Sequence, residues 1–264
     1  WRLLNSLGVT PDDVQIHQHA FYKHHIRHAE RWREGCVFLL GDAGHLMPPW
    51  AGSGMQSGIR DAFNITWKLR EVLSGRLPET LLDTYQAERE PNVAFYTGVA
   101  VQLGRIIQQQ LSDEELAAMA PKPGEQPPEP PLLWNPWYEA GWLSGAPTPD
   151  SAVGKMIPQP RVGDARGRLC WLDDQLGDGF ALLGDGTDPR SVLNADEQAG
   201  WGALGARYLC VLSPEQRGKG SDDIVDLDGA LLAWMRRYGA KVIAVRPDRF
   251  VAAADGSGLA VPLA

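Results

Sequence analysis

The segment GDAGHLMPPWAGSGMQSGIRDA, residues 41–62, limits the fold of this chain more than any other stretch. It directly follows the apolar run Cys36 to Leu40, which has the length of a strand covered on both faces. From Met55 onward, apolar or small residues recur every three or four positions and predict one stripe of an amphipathic helix reaching about Ser74: Met55, Ile59, Ala62, Thr66, Leu69 and Leu73. The pattern therefore predicts a strand, a glycine-rich turn and a helix, in an α/β fold.

The turn between that strand and that helix has the chemistry of a ligand site. Asp42 comes at the carboxyl end of the strand, where open α/β sheets bind ligands, and no cation stands beside it in sequence. Gly52, Gly54 and Gly58 remove side chains where the backbone would approach a flat ligand, and the amides of a helix start carry partial positive charge. The alternative is that Asp42 caps a turn and the glycines only close a tight connection.

The first 112 residues contain further predicted elements. Residues 14–22 alternate as a strand does, and a short helical stretch after them ends at Gly35. A second long helix begins near Leu81. Pro91 should bend or break this helix before it resumes and runs to about Leu111.

Proline and glycine cluster between residues 121 and 160, which is typical of a linker or a long surface crossing. Beyond it the pattern predicts a small α/β domain with strands at 180–183, 208–212, 241–245 and 249–253 and a helix at 227–238. We therefore divide the chain into residues 1–112, a crossing at 113–152, and a second domain at 153–264. Trp134, Trp137 and Trp142 should pin the crossing to the body of the protein.

Composition excludes several classes of function. The 264 residues carry a net charge of −8 without any concentration of Lys and Arg, which argues against nucleic acid. The apolar runs are too short to span a membrane. Three widely spaced cysteines without a CxxC pattern argue against a disulfide framework or a cysteine zinc site and favour a reducing, cytoplasmic compartment. Because the sequence opens on Trp1 in what reads as the middle of a domain, we expect a fragment of a longer protein.

Polar residues outside the glycine turn suggest structural roles. Five histidines lie within residues 17–28, so a metal site is geometrically conceivable, but no carboxylate or cysteine lies among them and we predict no metal. His45 is expected to hold its loop by a hydrogen bond. Glu88 and Arg89 could form an ion-pair network at a helix end, but the favoured alternative is a solvated pair.

The quoted segment, extended through FNITWKL and followed by LLDTYQAEREP, resembles the second FAD-binding motif and following helices of the class A flavoprotein aromatic hydroxylases. This is the para-hydroxybenzoate hydroxylase-like group, and within it the sequence is most similar to the 3-(3-hydroxyphenyl)propionate hydroxylase type. Residues 153–264, with WLDDQLGDGFALLG and VIAVRPDRFVA, resemble the thioredoxin-like C-terminal domain of the phenol hydroxylase branch.

This resemblance implies a flavoprotein that hydroxylates a phenolic ring with FAD, NADH or NADPH, and O2 through a flavin C4a-hydroperoxide, without a catalytic side chain from this chain. Asp42 would hold the ribityl hydroxyls, and the amides of residues 54–56 would face the anionic edge of the reduced flavin. Pro48 and Pro49 would lie beside the substrate. The implied FAD-binding residues are Gly41, Asp42, Ala43, Pro49, Gly52, Gly54, Met55 and Gln56.

The sequence also departs from the family pattern. Gln56 stands where the family usually has Asn, and Ser53 where it often has Gln. The family's first motif, GxGxxG after an N-terminal strand, is missing: GALGA at 202–206 has the wrong spacing and precedes a strand instead of following one. The alternative function is a catalytically silent binding or dimerisation module with a truncated flavin site. Under either hypothesis the C-terminal domain could support a homodimer.

Overall fold

The computed structural model describes residues 2–18, 20–119, 137–216 and 220–262. Residues 120–136 of the predicted crossing, including Trp134, lie outside these residues. The described part is a mixed α/β structure, as predicted, and its two portions are joined by a shared core.

The first portion is built around two long helices. Its elements are α1 (Arg2–Ser6), the two-residue strands β1 (Arg27–His28), β2 (Arg33–Glu34), β3 (Val37–Phe38) and β4 (His45–Leu46), and the helices α2 (Ser53–Leu73), α3 (Thr84–Ile107) and α4 (Asp113–Met119). Strands β1 and β4 pair antiparallel, as do β2 and β3. Helices α2 and α3 pack together with buried Trp32, Tyr85 and Val93.

Helix α2 has the predicted extent but not the predicted orientation. The apolar stripe of the sequence faces outward, with Met55 77% and Leu73 83% exposed. The buried face is a second stripe with helical spacing, and most of its members are polar: Ser53, Ser57, Asp61, Asn64, Lys68 and Glu71. The prediction that the apolar stripe marks the core was therefore wrong for this helix in this chain.

Helix α3 is continuous through Pro91, so the predicted break does not occur. Proline removes one amide donor, which would bond to the carbonyl of Ala87. Both Ala87 and Pro91 are exposed, so water can hydrate that carbonyl. Tertiary packing of the opposite face, including Val93 and Tyr96, keeps the helix intact.

Three short-range predictions for residues 14–40 were wrong. The described residues of 14–22 are exposed and belong to no strand, because alternation makes a strand only where a partner strand is available. No helix lies between residues 23 and 35, and Gly35 instead turns the β2–β3 hairpin with φ of +57°. The run 36–40 supplies only β3, and Val37 is 61% exposed, so it is not covered on both faces.

The second portion is one seven-stranded sheet with helices on both faces. Its elements are β5 (Arg161–Gly163), β6 (Leu169–Trp171), α5 (Leu172–Leu176), β7 (Ala181–Asp185), α6 (Ala195–Ala203), β8 (Arg207–Leu212), β9 (Asp223–Asp226), α7 (Ala230–Arg237), β10 (Val242–Val245) and β11 (Val251–Ala254). The strand order is β11-β10-β7-β8-β9-β5-β6. The pairs β7–β8 and β8–β9 are parallel, and the other pairs are antiparallel.

The predicted strands β7, β8, β10 and β11 and the predicted helix α7 are confirmed, whereas the sequence did not predict β5, β6, β9, α5 or α6. One apolar core lies between the sheet and α7, around Leu183, Val211 and Met235. The other, on the opposite face, contains Trp142 together with Trp67 of α2. Trp142 thus anchors the end of the crossing, as predicted, and the two portions share that core.

Candidate functional site

The glycine turn lies directly against the first half of α2. Residues Gly41–Ala43 form a single 3-10 turn, and Gly41 has φ of +53°, a conformation that favours glycine. A Cβ on Gly58 of α2 would lie 3.3 Å from the Gly41 Cα. Gly58 therefore permits this close packing of turn on helix, and the prediction that it clears space for a flat ligand was wrong.

One buried carboxylate fixes the turn to the helix. Asp61 of α2 is fully buried, and its Oδ2 accepts the Gly41 amide at 3.0 Å and the His45 Nε2 at 2.6 Å. Its Oδ1 accepts Arg89 Nε of α3 at 2.8 Å. Burial acts to raise the pKa of Asp61, but the hydrogen bond from His45, the Arg89 charge and the Gly41 amide together hold it below its usual value. The predicted loop-holding hydrogen bond of His45 is thus present, with Asp61 as its partner.

The predicted flavin-binding residues surround one end of α2. The 3-10 turns at 41–43 and 49–51 both contact this helix. Gly41 and Gly54 are half-buried, and the remaining predicted residues are exposed: Asp42, Ala43, Pro49, Gly52, Met55 and Gln56. The structure thus brings the predicted set together as an open surface, with the Asp42 side chain facing solvent.

The start of α2 is free to receive an anion. Gly52 precedes the helix with φ of +61°, no side chain caps the helix start, and its first turn contains no acidic residue. The first backbone amides of a helix have no partner within it, and α2 is 21 residues long, so its dipole is well developed at this end.

The two prolines have different environments. Pro48 is buried and Pro49 is exposed at the start of the turn Pro49–Ala51. Trp50 packs its indole so closely on Gly104 of α3 that a Cβ there would overlap it. This contact fixes the proline turn to α3.

A second buried network, not predicted from the sequence, joins α2, α3 and the sheet portion. Glu88 accepts hydrogen bonds from Lys68 Nζ at 2.8 Å and from Arg246 Nη1 and Nη2 at 2.8 and 2.7 Å. Asn64 and the Trp142 amide also donate to it. The solvated Glu88–Arg89 pair was therefore the wrong alternative. Both residues are buried within α3, Glu88 facing the sheet portion and Arg89 facing Asp61.

The charged groups in this network shift one another's pKa values. Burial acts to raise the pKa of Glu88, but Arg246 and Lys68 outweigh it and lower that pKa to about 2. Burial lowers the pKa of Lys68 to about 8, against the attraction of Glu88. Asp248 completes the network by accepting from Arg246 Nη2 at 2.6 Å and from Trp67 Nε1 at 3.1 Å. The polar stripe of α2 was the sequence signal for both buried networks.

Other groups singled out in the sequence lie away from these networks or have ordinary structural roles. Residues 23–28 are not helical, so His24 and His28 share no helix face, and His28 Nε2 lies 3.3 Å from Thr97 Oγ1. Across the described residues, no group of His, Cys, Asp and Glu has the geometry of a metal site. None of the described helices is long and apolar enough to cross a membrane.

A glycine-rich segment and a cysteine of the second portion have structural roles. Gly200, Gly202 and Gly205 do have the GxGxxG spacing, but they lie at the end of α6 and precede β8, so they do not form a strand-to-helix phosphate loop. Cys210 lies in β8, where burial is the main cause that raises the pKa of its thiol to about 11. Little thiolate is therefore expected at that position.

Comparisons with known proteins agree with this geometry. Residues 2–97 match the family described as FAD binding domain, and residues 154–261 match the HcaD C-terminal domain family. The solved structure of aklavinone-11 hydroxylase with FAD and aklavinone is 28% identical, with a TM-score of 0.60 over 86% of this chain and 41% of that chain. The flavin-dependent monooxygenase PieE, in complex with FAD and substrate, is 25% identical, with a TM-score of 0.64 over 88% of this chain and 46% of that chain.

These matches place the chain among the FAD-dependent aromatic hydroxylases. Within that class its relatives include the 3-(3-hydroxy-phenyl)propionate/3-hydroxycinnamic acid hydroxylases of Mycobacterium sp. (strain JLS), 38% identical over 96% of this chain, and of Burkholderia vietnamiensis, 37% identical over 94%. The chain covers 47% and 49% of those proteins, so it spans about half the length of the curated relatives it matches.

Proposed function

We propose that this chain supplies the flavin-ring side of the FAD site of an aromatic-ring monooxygenase that uses NADH or NADPH and O2. Two observations support this most directly: Asp42 is an exposed carboxylate on a turn that contacts α2, and the glycine-lined start of α2 is uncapped. Asp61 fixes that turn to the helix through the Gly41 amide. A carboxylate on this turn and free amides at the helix start suit a ligand that has both hydroxyls and a developing negative charge.

The residues present fit FAD. Asp42 would accept hydrogen bonds from ribityl hydroxyls, and Gly41 lets the backbone pass close to them. The amides of Gly54, Met55 and Gln56 would face the pyrimidine edge of the ring, where the helix dipole favours the anionic reduced form by about 1 kcal/mol. When bound, FAD supplies the activation of oxygen. The protein orients the ring and excludes water.

The substrate class follows from the same end of α2. Pro48 and Pro49 carry no amide hydrogen, and their turn is fixed by Trp50 against Gly104, so a backbone carbonyl can be presented rigidly to a phenolic ring. The names of the relatives support a phenol with a short carboxylate side chain. The alternative of a catalytically silent module has no comparable support, since the curated relatives described above are named as hydroxylases.

We also infer that the sheet portion is a thioredoxin-like unit. Its strands β11-β10-β7-β8 combine a parallel pair linked through α6 with an antiparallel hairpin, as such a unit requires. The cysteines Cys170 and Cys210 offer no dithiol pair for redox chemistry, so packing is the role we assign to it. The boundaries at residues 112 and 153, the homodimer and the cytoplasmic location stay predictions.

A chimera tests the proposed function. Residues 1–264 replace the matched 47% of the Mycobacterium sp. (strain JLS) protein, and flavin content, nicotinamide oxidation and hydroxylated 3-(3-hydroxyphenyl)propionate are measured. We expect a yellow protein that forms product. Asp42→Ala should weaken FAD binding by about 1.5 to 3 kcal/mol, because the ribityl hydroxyls lose a charged acceptor.

The matched control is Asp196→Ala, which removes an exposed carboxylate from α6 in the sheet portion. It should leave the flavin titration unchanged. Equal affinity in the Asp42→Ala chimera and its parent would remove Asp42 from the site. A folded chimera without flavin would overturn the proposed function itself.

A further inference from the structure

Asp61 is the one fully buried carboxylate among the described residues that touches the Gly41–Ala43 turn. It lies on α2 two turns beyond the helix start, and it contacts the turn, the loop at His45 and helix α3 at once. We propose that Asp61 is a positioning residue that sets the flavin-binding geometry by clamping the Gly41–Asp42 turn to α2. This inference rests on the proposed function and extends it to a residue that would not touch the cofactor.

The hydrogen bonds support a clamp with a defined direction. Oδ2 faces the turn, where it accepts both the Gly41 amide and His45 Nε2, and Oδ1 faces α3, where it accepts Arg89 Nε. Arg89 is itself held by Asn92 Oδ1 at 2.9 Å. The carboxylate therefore cannot rotate without losing bonds on both sides, so its position, and that of the Gly41 amide, is defined by two helices.

Apart from backbone bonds within the turn itself, such as the Gly44 amide to Gly41 O at 2.9 Å, side chains give the turn little other support. Gly41 and Gly58 meet at their α-carbons, which brings the backbones close but provides no side-chain contact. Asp42 and Ala43 are exposed. Without the bond from Gly41 to Asp61, Asp42 would keep its chemistry but lose its fixed distance from the start of α2, which is the geometry a rigid ring system requires.

Removing Asp61 alone would leave the buried Arg89 charge unpaired and would unfold the protein for a reason unrelated to positioning. Two double variants avoid this problem because Arg89→Met removes the charge in both. Asp61→Asn/Arg89→Met keeps an oxygen that can accept the Gly41 amide. Asp61→Leu/Arg89→Met fills a similar volume but has no acceptor.

The first measurement uses residues 1–264 without flavin. Amide hydrogen exchange at Gly41 is followed by NMR in both double variants, beside their melting temperatures. We expect Gly41 exchange at least about tenfold faster in the leucine variant, because its amide loses a buried acceptor, while exchange in β10 of the sheet portion should differ much less between the two variants. The melting temperature of the leucine variant should be slightly lower, because His45 Nε2 loses the same acceptor. Equal exchange rates would show that Asp61 does not hold the turn.

The second measurement places both double variants in the chimera described above and titrates FAD. The leucine variant should bind FAD at least about tenfold more weakly than the asparagine variant, with a fluorescence or visible spectrum that reports a more solvent-exposed ring. Faster Gly41 exchange with equal FAD affinity would overturn the positioning role and leave the proposed function standing. Failure of the parent chimera to bind flavin would instead overturn the proposed function, and this inference with it.

Discussion

The two portions of this protein build their interiors in opposite ways. The sheet portion buries apolar strands, such as β10 with all four residues from Val242 to Val245 buried. Between α2 and α3, by contrast, the buried groups include Asp61, Lys68, Glu88 and Arg89. Apolar periodicity therefore locates the core of the sheet portion correctly and points to the wrong face of α2. The buried face of a helix is the one that finds partners, whether those partners are apolar or charged.

The largest effect should come from breaking the charged interior where it meets the sheet. Arg246→Met leaves Glu88 without its two-pronged partner and should cost about 3 to 5 kcal/mol of unfolding free energy. Urea denaturation measures this loss of unfolding free energy. The control is Arg236→Met, whose pair with Asp185 is 60% exposed on the arginine side, so its loss should change stability far less.

Without Arg246, the buried Lys68, Glu88 and Asp248 carry one net negative charge. Adding Glu88→Gln to Arg246→Met removes that excess charge and should recover part of the loss. A loss below about 1 kcal/mol for Arg246→Met would show that the charged contact does not hold the two portions together.

Acid should weaken the charged interior before the apolar one. The pKa of Glu88 is lowered to about 2 from 4.5, so its ionised form stabilises the folded state. That contribution is complete above about pH 4.5 and is lost as the pH falls toward 2, because the unfolded chain takes up the proton first. The free energy of unfolding should fall by a few kcal/mol across this window. Glu88→Gln should flatten the dependence of that free energy on pH, whereas Glu139→Gln, at an exposed position, should not. An unchanged slope in Glu88→Gln would contradict the assigned charge state.

Removing the cysteines of the sheet portion should have a small effect. Cys170→Ala with Cys210→Ala should lower the unfolding free energy by about 1 kcal/mol or less, mainly through the half-buried Cys210. Product formed per nicotinamide oxidised in the chimera should stay the same, because neither thiol is placed for redox chemistry. If that ratio collapsed while the melting temperature held, the sheet portion would have a redox function.

The smallest effect should come from the outward face of α2. Phe63→Ser changes a side chain that is 68% exposed and should alter stability by no more than about 0.5 kcal/mol in residues 1–264. Ile65→Ala, two positions away and 3% exposed, should cost about 2 to 5 kcal/mol. A large loss for Phe63→Ser would mean that this face of α2 is buried after all.

Local signals predicted much of the candidate site. The glycines and Asp42 identified the turn, and the three- and four-residue spacing gave the extent of α2, since both features depend on neighbouring residues. The buried partners of that site were not predicted. Asp61 and Arg89 are 28 positions apart, and Glu88 and Arg246 are 158 apart, so no short window contains both members of either pair.

The sequence alone determined the mixed α/β class, the glycine turn with its helix, the main strands of the sheet portion, and the family to which its motifs belong. These properties depend on backbone conformation and on the spacing of apolar residues, and both are set by residues close together in sequence. Only the tertiary structure decided which face of α2 is buried and that α3 passes through Pro91 unbroken. It also decided that Glu88 pairs with Arg246 of the sheet portion whereas Arg89 pairs with Asp61 of α2. Those outcomes depend on partners that are distant in sequence, because a buried charge is stable only where folding supplies its counterion and its hydrogen bonds.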